Sequence, residues 1–314
     1  MTAAPARPVL VAGEVNADLV FSGCTSLPSF GREVLASGFR QGPGSSSMIC
    51  AMGLARLGEA VLFAGVAGQD GWGGYCVAAL REAGIDVDAV QLRPGLRTGL
   101  TVALSAAHDR ALVTYPGAIA ALRAQDVPDA LLARAGHLHV SSYYLQSALR
   151  PGLRGLFERA HKLGLTTSLD PGFDPDERWG GDELIGLLAE VDVFLPNALE
   201  ACAISGKPSP EEALQTFANG RTRTVVKRGG EGCITLDDDG RHLAVPAFAV
   251  DALDSTGAGD SFDAGFLHAW RRGRPLRDCL RWGAACGALS TRGIGGTASQ
   301  ADEADVERLL ADHP

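Results

Sequence analysis

Residues 254–262 read Asp254-Ser255-Thr256-Gly257-Ala258-Gly259-Asp260-Ser261-Phe262, and apolar residues then recur at Phe262, Phe266 and Trp270. A run of small residues therefore opens directly into a segment of helical period. Small side chains let backbone N–H groups approach an anion closely, and a helix N-terminus adds partial positive charge. Developing phosphoryl charge could be held there by Gly257, Ala258 and Gly259 without a cationic side chain. Asp260 sits at that positive end. A carboxylate so placed can take a proton from an attacking alcohol, but Asp is also a common helix cap. Spacing alone leaves both readings open.

Two better-known phosphate loops do not fit. A dinucleotide fingerprint would need glycine where Phe262 stands, in a loop that opens an early βαβ unit. A Walker loop would need Lys followed by Ser or Thr, and the one Gly-Lys pair, Gly206-Lys207, continues to Pro208.

Outward from this stretch, short apolar runs alternate with longer segments of helical period, as in a mainly parallel sheet covered by helices. Strands are expected at 9–12, 60–64, 137–140, 165–169, 191–195 and 224–227, with two more β runs at 233–236 and 242–245. Helices are expected through 48–57, 74–83, 262–270 and 276–289, with a last amphipathic helix closing the chain. Leu19 to Arg40 and Thr98 to Tyr115 interrupt the rhythm. The second holds two alternating runs flanking the turn Ala107-His108-Asp109-Arg110, the pattern of a hairpin. The expectation is one α/β unit over residues 1–314, of Rossmann-type three-layer form, with a discontinuous β lid at approximately 14–41 and 97–116.

Composition narrows the class. A chain of 314 residues with 46% hydrophobic content buries a substantial core. A net charge of -9 argues against nucleic acid and anionic membranes as partners and favours a small ligand. Seven cysteines without a Cys-x-x-Cys pair suit reduced thiols. The stretch Met1 to Pro8 lacks a secretory pattern, and no later run reaches about 18 apolar residues, so a cytoplasmic chain is expected.

The segment 254–262 resembles the C-terminal signature of the ribokinase-like, or PfkB, carbohydrate kinases, Asp-Thr-x-Gly-Ala-Gly-Asp-x-Phe. Gly13-Glu14-Val15-Asn16-Ala17-Asp18 is similar to the family's first substrate-binding strand end, and Gly68-Gln69-Asp70-Gly71-Trp72-Gly73 to its Val-Gly-x-Asp-x-x-Gly segment. Asn197-Ala198-Leu199-Glu200 is similar to its Asn-x-x-Glu motif, Val226 to Gly232 to the strand-turn-strand near the nucleotide, and Ala284 to Thr291 to the helix beside adenine. The resemblance spans nearly the whole chain.

It implies ATP-dependent phosphorylation of a hydroxyl on a small sugar-like substrate. Asp260 would be the base, and the backbone of Gly257, Ala258 and Gly259 the anion hole. Asn197, Lys227, Gly229, Gly232, Gly257 and Gly259 would lie along the nucleotide. Glu200 would hold Mg2+ through water, as suits a cation that keeps several waters. Asp254 and Thr256, with backbone oxygens of residues 290–296, would hold a monovalent cation such as K+. Asp254 read by itself also suits an Asx-type turn. Many relatives pair through the β lid, so a homodimer is implied as well.

At the sugar end, the resemblance points Asn16 and Asp18 at the substrate, and a carboxylate suits two vicinal hydroxyls. The family's Gly-Gly-x-x-x-Asn segment is replaced by Gly42-Pro43-Gly44-Ser45-Ser46-Ser47-Met48-Ile49. Gly42, Gly44 and the three serines become the substrate-contact candidates for a polyol, a sugar acid or a phosphate-bearing compound, and the serines equally suit N-caps. Tyr143 and Tyr144 follow a strand end and suit either ligand stacking or the core. His137 and His139 share a strand face without an acidic or cysteine partner nearby, which points to burial rather than metal. A nucleoside kinase of the same fold and a non-catalytic binding relative remain the alternatives.

Overall fold

The computed structural model describes residues 7–106 and 110–314. In chain order the elements are β1 (Val9–Ala12), β2 (Asn16–Cys24), β3 (Gly38–Pro43), α1 (Ser46–Arg56), β4 (Val61–Gly68), α2 (Gly71–Glu82), β5 (Asp86–Arg93), β6 (Gly99–Ala106) and β7 (Arg110–Tyr115). There follow α3 (Asp129–Leu132), β8 (His137–Val140), α4 (Arg150–Lys162), β9 (Thr166–Leu169), α5 (Gly181–Leu187), β10 (Val193–Phe194), α6 (Ala198–Ser205) and α7 (Pro210–Phe217). The chain continues through β11 (Arg223–Lys227), β12 (Cys233–Leu236), β13 (His242–Val245), α8 (Ala258–Arg271), α9 (Leu276–Ser290) and α10 (Glu303–Asp312).

Nine strands form one sheet in the order β13-β12-β11-β10-β9-β8-β1-β4-β5. From β5 to β11 the neighbours run parallel, and β12 and β13 add an antiparallel edge. Strand alternation builds two core layers. Val9 and Val11 face α1, α2, α8, α9 and α10, whereas Leu10 and Ala12 face α4, α5, α6 and α7. The same split recurs at Val225 and Val226 of β11. This is the three-layer α/β architecture the alternation of runs predicts.

The interrupting segments meet in a second, four-stranded sheet of order β3-β2-β6-β7. β6 and β7 pair antiparallel, as the hairpin reading expects; residues 107–109 of its turn lie outside the described residues. No helix among the described residues is long and apolar enough to cross a membrane.

Boundaries differ where tertiary contacts override local signals. α2 begins at Gly71, three residues before the expected Gly74, because the Asp70 side chain caps it by accepting from Gly73 N at 2.9 Å. β4 runs on to Gly68 instead of stopping at Ala64, and Gly65 is what permits it: a Cβ there would lie 2.8 Å from Gly13 O. In the expected strand 191–195 only Val193–Phe194 pair. β5 escapes the sequence reading because it is an edge strand in which Val87 alone is buried and the exposed positions are both a polar one, Asp88, and an apolar one, Leu92, so burial does not follow a clean alternation. α8 begins at Ala258, not Phe262, so Asp260 lies inside its first turn.

α8 and α9 pack unusually close. A Cβ on Gly265 would meet Cys286 Sγ and Trp282 O at 2.6 Å, contacts that require displacement of one helix. Gly265→Ala should therefore cost about 1–3 kcal/mol. Gly155→Ala, at an exposed α4 position with open space around the new methyl, should gain roughly 0.5–1 kcal/mol. Urea unfolding of both variants checks the pair of signs.

Candidate active site

The parallel strands end together, and the polar residues just past those ends converge, as expected at the carboxyl edge of an open α/β sheet where the order of strands reverses about β1. Glu14 and Asn16 follow β1, Ser141 and Ser142 follow β8, Asp170 follows β9, Asn197 follows β10, and Lys227 closes β11. The N-terminal turns of α1 and α8 point into the same region. Gly53 of α1 fixes their spacing, since a Cβ there would lie 2.9 Å from Ala264 Cβ of α8.

Gly257 caps α8 in the left-handed region (φ 72°), and a Cβ there would lie 2.7 Å from Gly296 Cα. Only glycine accommodates both the turn and the approach of the 291–296 loop. Of the first N–H groups of α8, that of Ala258 donates back to Ser255 O at 3.2 Å, while the helix itself supplies no partner for those of Gly259 and Asp260. Asp260 is reached by the Ser46 side chain, which hydrogen-bonds its carboxylate. Burial pushes the Asp260 carboxyl up to about 7; the Asp170 and Glu14 charges push the same way, and Lys227 and Ser46 oppose them. A carboxyl titrating near neutrality at a helix N-terminus is matched to accepting a proton.

On the small sheet, Asn16 Nδ2 donates to Asp18 Oδ1 at 3.0 Å and to Thr101 Oγ1 at 3.2 Å. Burial raises the Asp18 carboxyl to about 7, with the Asn16 hydrogen bond acting against it and the Asp254 charge adding to it. Gly42 pairs directly opposite Asp18 across the strands, and a side chain on Gly44 would overlap the Asp18 carboxylate. Ser45 caps α1 at φ 65°, held by donating to Glu14 O at 2.8 Å and accepting from Met48 N at 3.1 Å. Of the three serines, Ser46 turns toward Asp260, whereas Ser47 is fully buried on Glu14.

Glu14, which the sequence alone does not single out within Gly13–Asp18, lies at the centre of this end of the sheet. It is 2% exposed, and its carboxylate accepts from Ser47 Oγ at 2.6 Å, Ser47 N at 3.2 Å and Ser142 Oγ at 2.8 Å. It fastens the start of α1 to the ends of β1 and β8.

Asn197 and Glu200 form a reciprocal capping box on α6: Asn197 Oδ1 accepts from Glu200 N at 2.9 Å, and Glu200 Oε2 accepts from Asn197 N at 2.8 Å. Glu200 is 5% exposed, and burial together with the Asp170 charge raises it to about 7. Its second oxygen and this high proton affinity fit a neighbouring cation. Gly229 and Gly232 bound the turn after β11, both at positive φ. Lys227 does not extend along the surface with them; its ammonium turns inward between Asp170 and Asp263.

Asp254 makes the Asx-type turn its position suggests, with Oδ1 accepting from Thr256 N at 2.9 Å and Oδ2 from Gly295 N at 2.8 Å. Thr256 Oγ1 also donates to it at 2.7 Å. His137 and His139 are buried in a row of hydroxyls. His137 shares hydrogen bonds with Thr166 (2.8 Å) and Ser168 (2.7 Å), and His139 with Ser168 (2.7 Å) and Ser141 (2.8 Å). Burial lowers both, His139 to about 4, so both are neutral near pH 7. Tyr143 and Tyr144 are core residues in an aromatic row with Trp179, and Tyr144 Oη donates to Trp179 O at 2.6 Å.

Asp170 and Asp263, missed in the sequence, join Asp260: one carboxylate oxygen from each lies within 4.8 Å of the others. Both left a signal. Asp170 ends the run Thr166–Leu169 at the ligand-facing strand edge, and Asp263 is a charge three residues after Asp260 inside an apolar helix.

Residues 7–303 match the family model described as pfkB family carbohydrate kinase. The chain is 28% identical over 293 residues to fructokinase-1 of Zea mays, covering 88% of this chain and 90% of that one. It is 30% identical over 285 residues to the ATP-dependent ribose-1-phosphate kinase of Halopiger xanaduensis, covering 90% and 91%. Its fold superposes with a TM-score of 0.84 on a putative ribokinase II from E. coli solved with ATP and Mg2+, at 22% identity, covering 98% of this chain and all of that one. With its model matched along nearly the full length, the chain belongs to the pfkB family of carbohydrate kinases.

Proposed function

We propose that this protein transfers a phosphoryl group from MgATP to a hydroxyl of a small sugar or sugar derivative, with Asp260 as general base. The observation that carries the reading is the Asp260 carboxyl in the first turn of α8, right after the turn that Gly257 opens at positive φ, where burial raises its proton affinity toward neutrality. Asp18 and Asn16, supported by Thr101, would accept and donate hydrogen bonds to the sugar hydroxyls. Asp260 would take the proton of the attacking hydroxyl, and the Gly257–Gly259 backbone would hold the charge that develops on the transferring group.

Glu200, oriented by Asn197, fits magnesium held through water; the ion would offset phosphate charge. The Gly229–Gly232 turn and Asn197 would border the nucleotide, and Asp254 with Thr256 would hold a monovalent cation. The small sheet would act as a lid that excludes water.

MgATP-dependent ADP release across fructose, ribose, ribose-1-phosphate, sugar acids and nucleosides tests the reading. Stimulation by one acceptor class supports it; no stimulation by any member of the panel overturns it. Asp260→Asn should lower kcat by about 10²- to 10⁴-fold. The same variant should be more stable than the parent at pH 8. Asp260 is raised when folded, so the parent loses stability as pH climbs from the unfolded carboxylate range through about 7. The stability gap should therefore widen over that window and level off above it, as urea unfolding at several pH values would reveal.

The rate should also fall on the acid side, because the base must be ionised. Asp260, Asp18 and Glu200 are all raised to about 7, so kcat/KM should drop below pH 7 by more than tenfold per unit. Asp18→Asn should make that limb shallower by one proton. A limb that stays flat to pH 5 would remove Asp260 from the role.

Phe39, Val113 and Tyr115 share one face of the small sheet and are each more than half exposed. A second copy of the chain would cover them. Light scattering should report a dimer that Phe39→Glu converts to monomer.

A further inference from the structure

Below Asp260 lies a buried cluster with no evident part in holding sugar or nucleotide. Lys227 Nζ donates to Asp170 Oδ2 at 2.7 Å and to Asp263 at 2.9 Å (Oδ1) and 3.2 Å (Oδ2). Asp263 is 0% exposed, Asp170 5% and Lys227 8%. One carboxylate oxygen of Asp170 and one of Asp263 lie within 4.8 Å of each other, and both groups receive the same ammonium. Two carboxyl groups this close in a buried site favour one of them keeping a proton.

We propose that Lys227, clamped between Asp170 and Asp263, is the positioning residue that sets the proton affinity of Asp260, and that Asp263 is a neutral acid sharing its proton with Asp170. This rests on the reading of Asp260 as the base. The charges then balance locally: the Lys227 ammonium offsets the Asp170 carboxylate, Asp263 adds none, and Asp260 titrates above a cluster of no net charge. The direction of each shift agrees, since burial drives Asp263 well up while Lys227 holds Asp170 down against its own burial. The other groups facing Asp260 are Glu14 after β1, Ser46 and Cys50 of α1, and Glu200 of α6. None of them changes in the variants below.

The geometry also explains why the ammonium suits this place. A Cβ on Gly259 would lie 3.5 Å from Lys227 Nζ, so the cation sits directly under the first turn of α8. A removable ion would leave the cluster when the cleft opens to solvent; a covalently attached one does not. The base thus keeps one setting through each turnover.

The test follows the acid limb of kcat/KM together with the carboxyl ¹³C resonance of Asp260, assigned by its loss in Asp260→Asn. Lys227→Met leaves Asp170 unbalanced and should move the Asp260 midpoint to higher pH, by on the order of tenfold in proton affinity. Asp170→Asn leaves the ammonium unbalanced and should move it by a similar factor to lower pH. Asp263→Asn, which keeps shape and a donor, should leave it in place. A cluster serving only the fold would change stability without these opposite signs.

Should Lys227→Met not fold, the two isosteric aspartate variants still decide the matter. An unmoved resonance in Asp170→Asn, or a downward move in Asp263→Asn, overturns the inference. A resonance that moves as stated while the kinetic limb stays fixed upholds the inference and instead removes Asp260 from the role of base.

Discussion

The Lys227 ammonium between Asp170 and Asp263 is the interaction on which the active end of this molecule depends. It joins the end of β11, the residue after β9 and the first turns of α8, three elements from separate parts of the chain. Burying a charged amine is costly, and the cost is tolerable only because two carboxyl groups receive it at hydrogen-bond distance. Removing Asp170 would leave the ammonium without its counter-charge in the core, and removing Asp263 would take away two of its hydrogen-bond contacts. The cluster thus ties the first turns of α8 to the sheet, and α8 carries the loop and Asp260.

A second buried carboxylate performs the matching task for α1. Glu14 accepts from Ser47 and Ser142, tying the helix start to the ends of β1 and β8. Ser46 then stands where it reaches Asp260, and Gly53 lets α1 lie close against α8. Two helix N-termini are brought to one place by two buried acids, so the positive ends of both face the region where phosphoryl charge would develop. The row of hydroxyls and imidazoles from Thr166 to Ser141 satisfies the polar groups left inside β8 and β9.

Much of this arrangement was legible from residues. Alternating apolar runs marked the parallel sheet, the segment 254–262 marked a loop running into a helix, and the interrupted stretches marked a separate small sheet. What escaped was whatever depends on partners distant in sequence. β5 is an edge strand whose burial follows no clean alternation, which hid its period. Asp170, Asp263 and Glu14 read as single acids because nothing local shows that their side chains turn inward. Lys227 was placed along the nucleotide by its neighbours in the motif, yet its amine is held in the cluster below.

The sequence by itself determined the layer architecture and the identity of the loop, because both rest on local period and on residue size: two-residue alternation, helical spacing, and glycine at a left-handed cap. The tertiary structure alone decided which acids are charged. Burial, the Lys227 ammonium and neighbouring carboxylates set proton affinity over a few ångströms of space, and those neighbours come from β1, β9, β11, α1 and α8. Spacing along a chain carries no information about that distance, so the proton affinity of Asp260 is set only where the strands lie side by side.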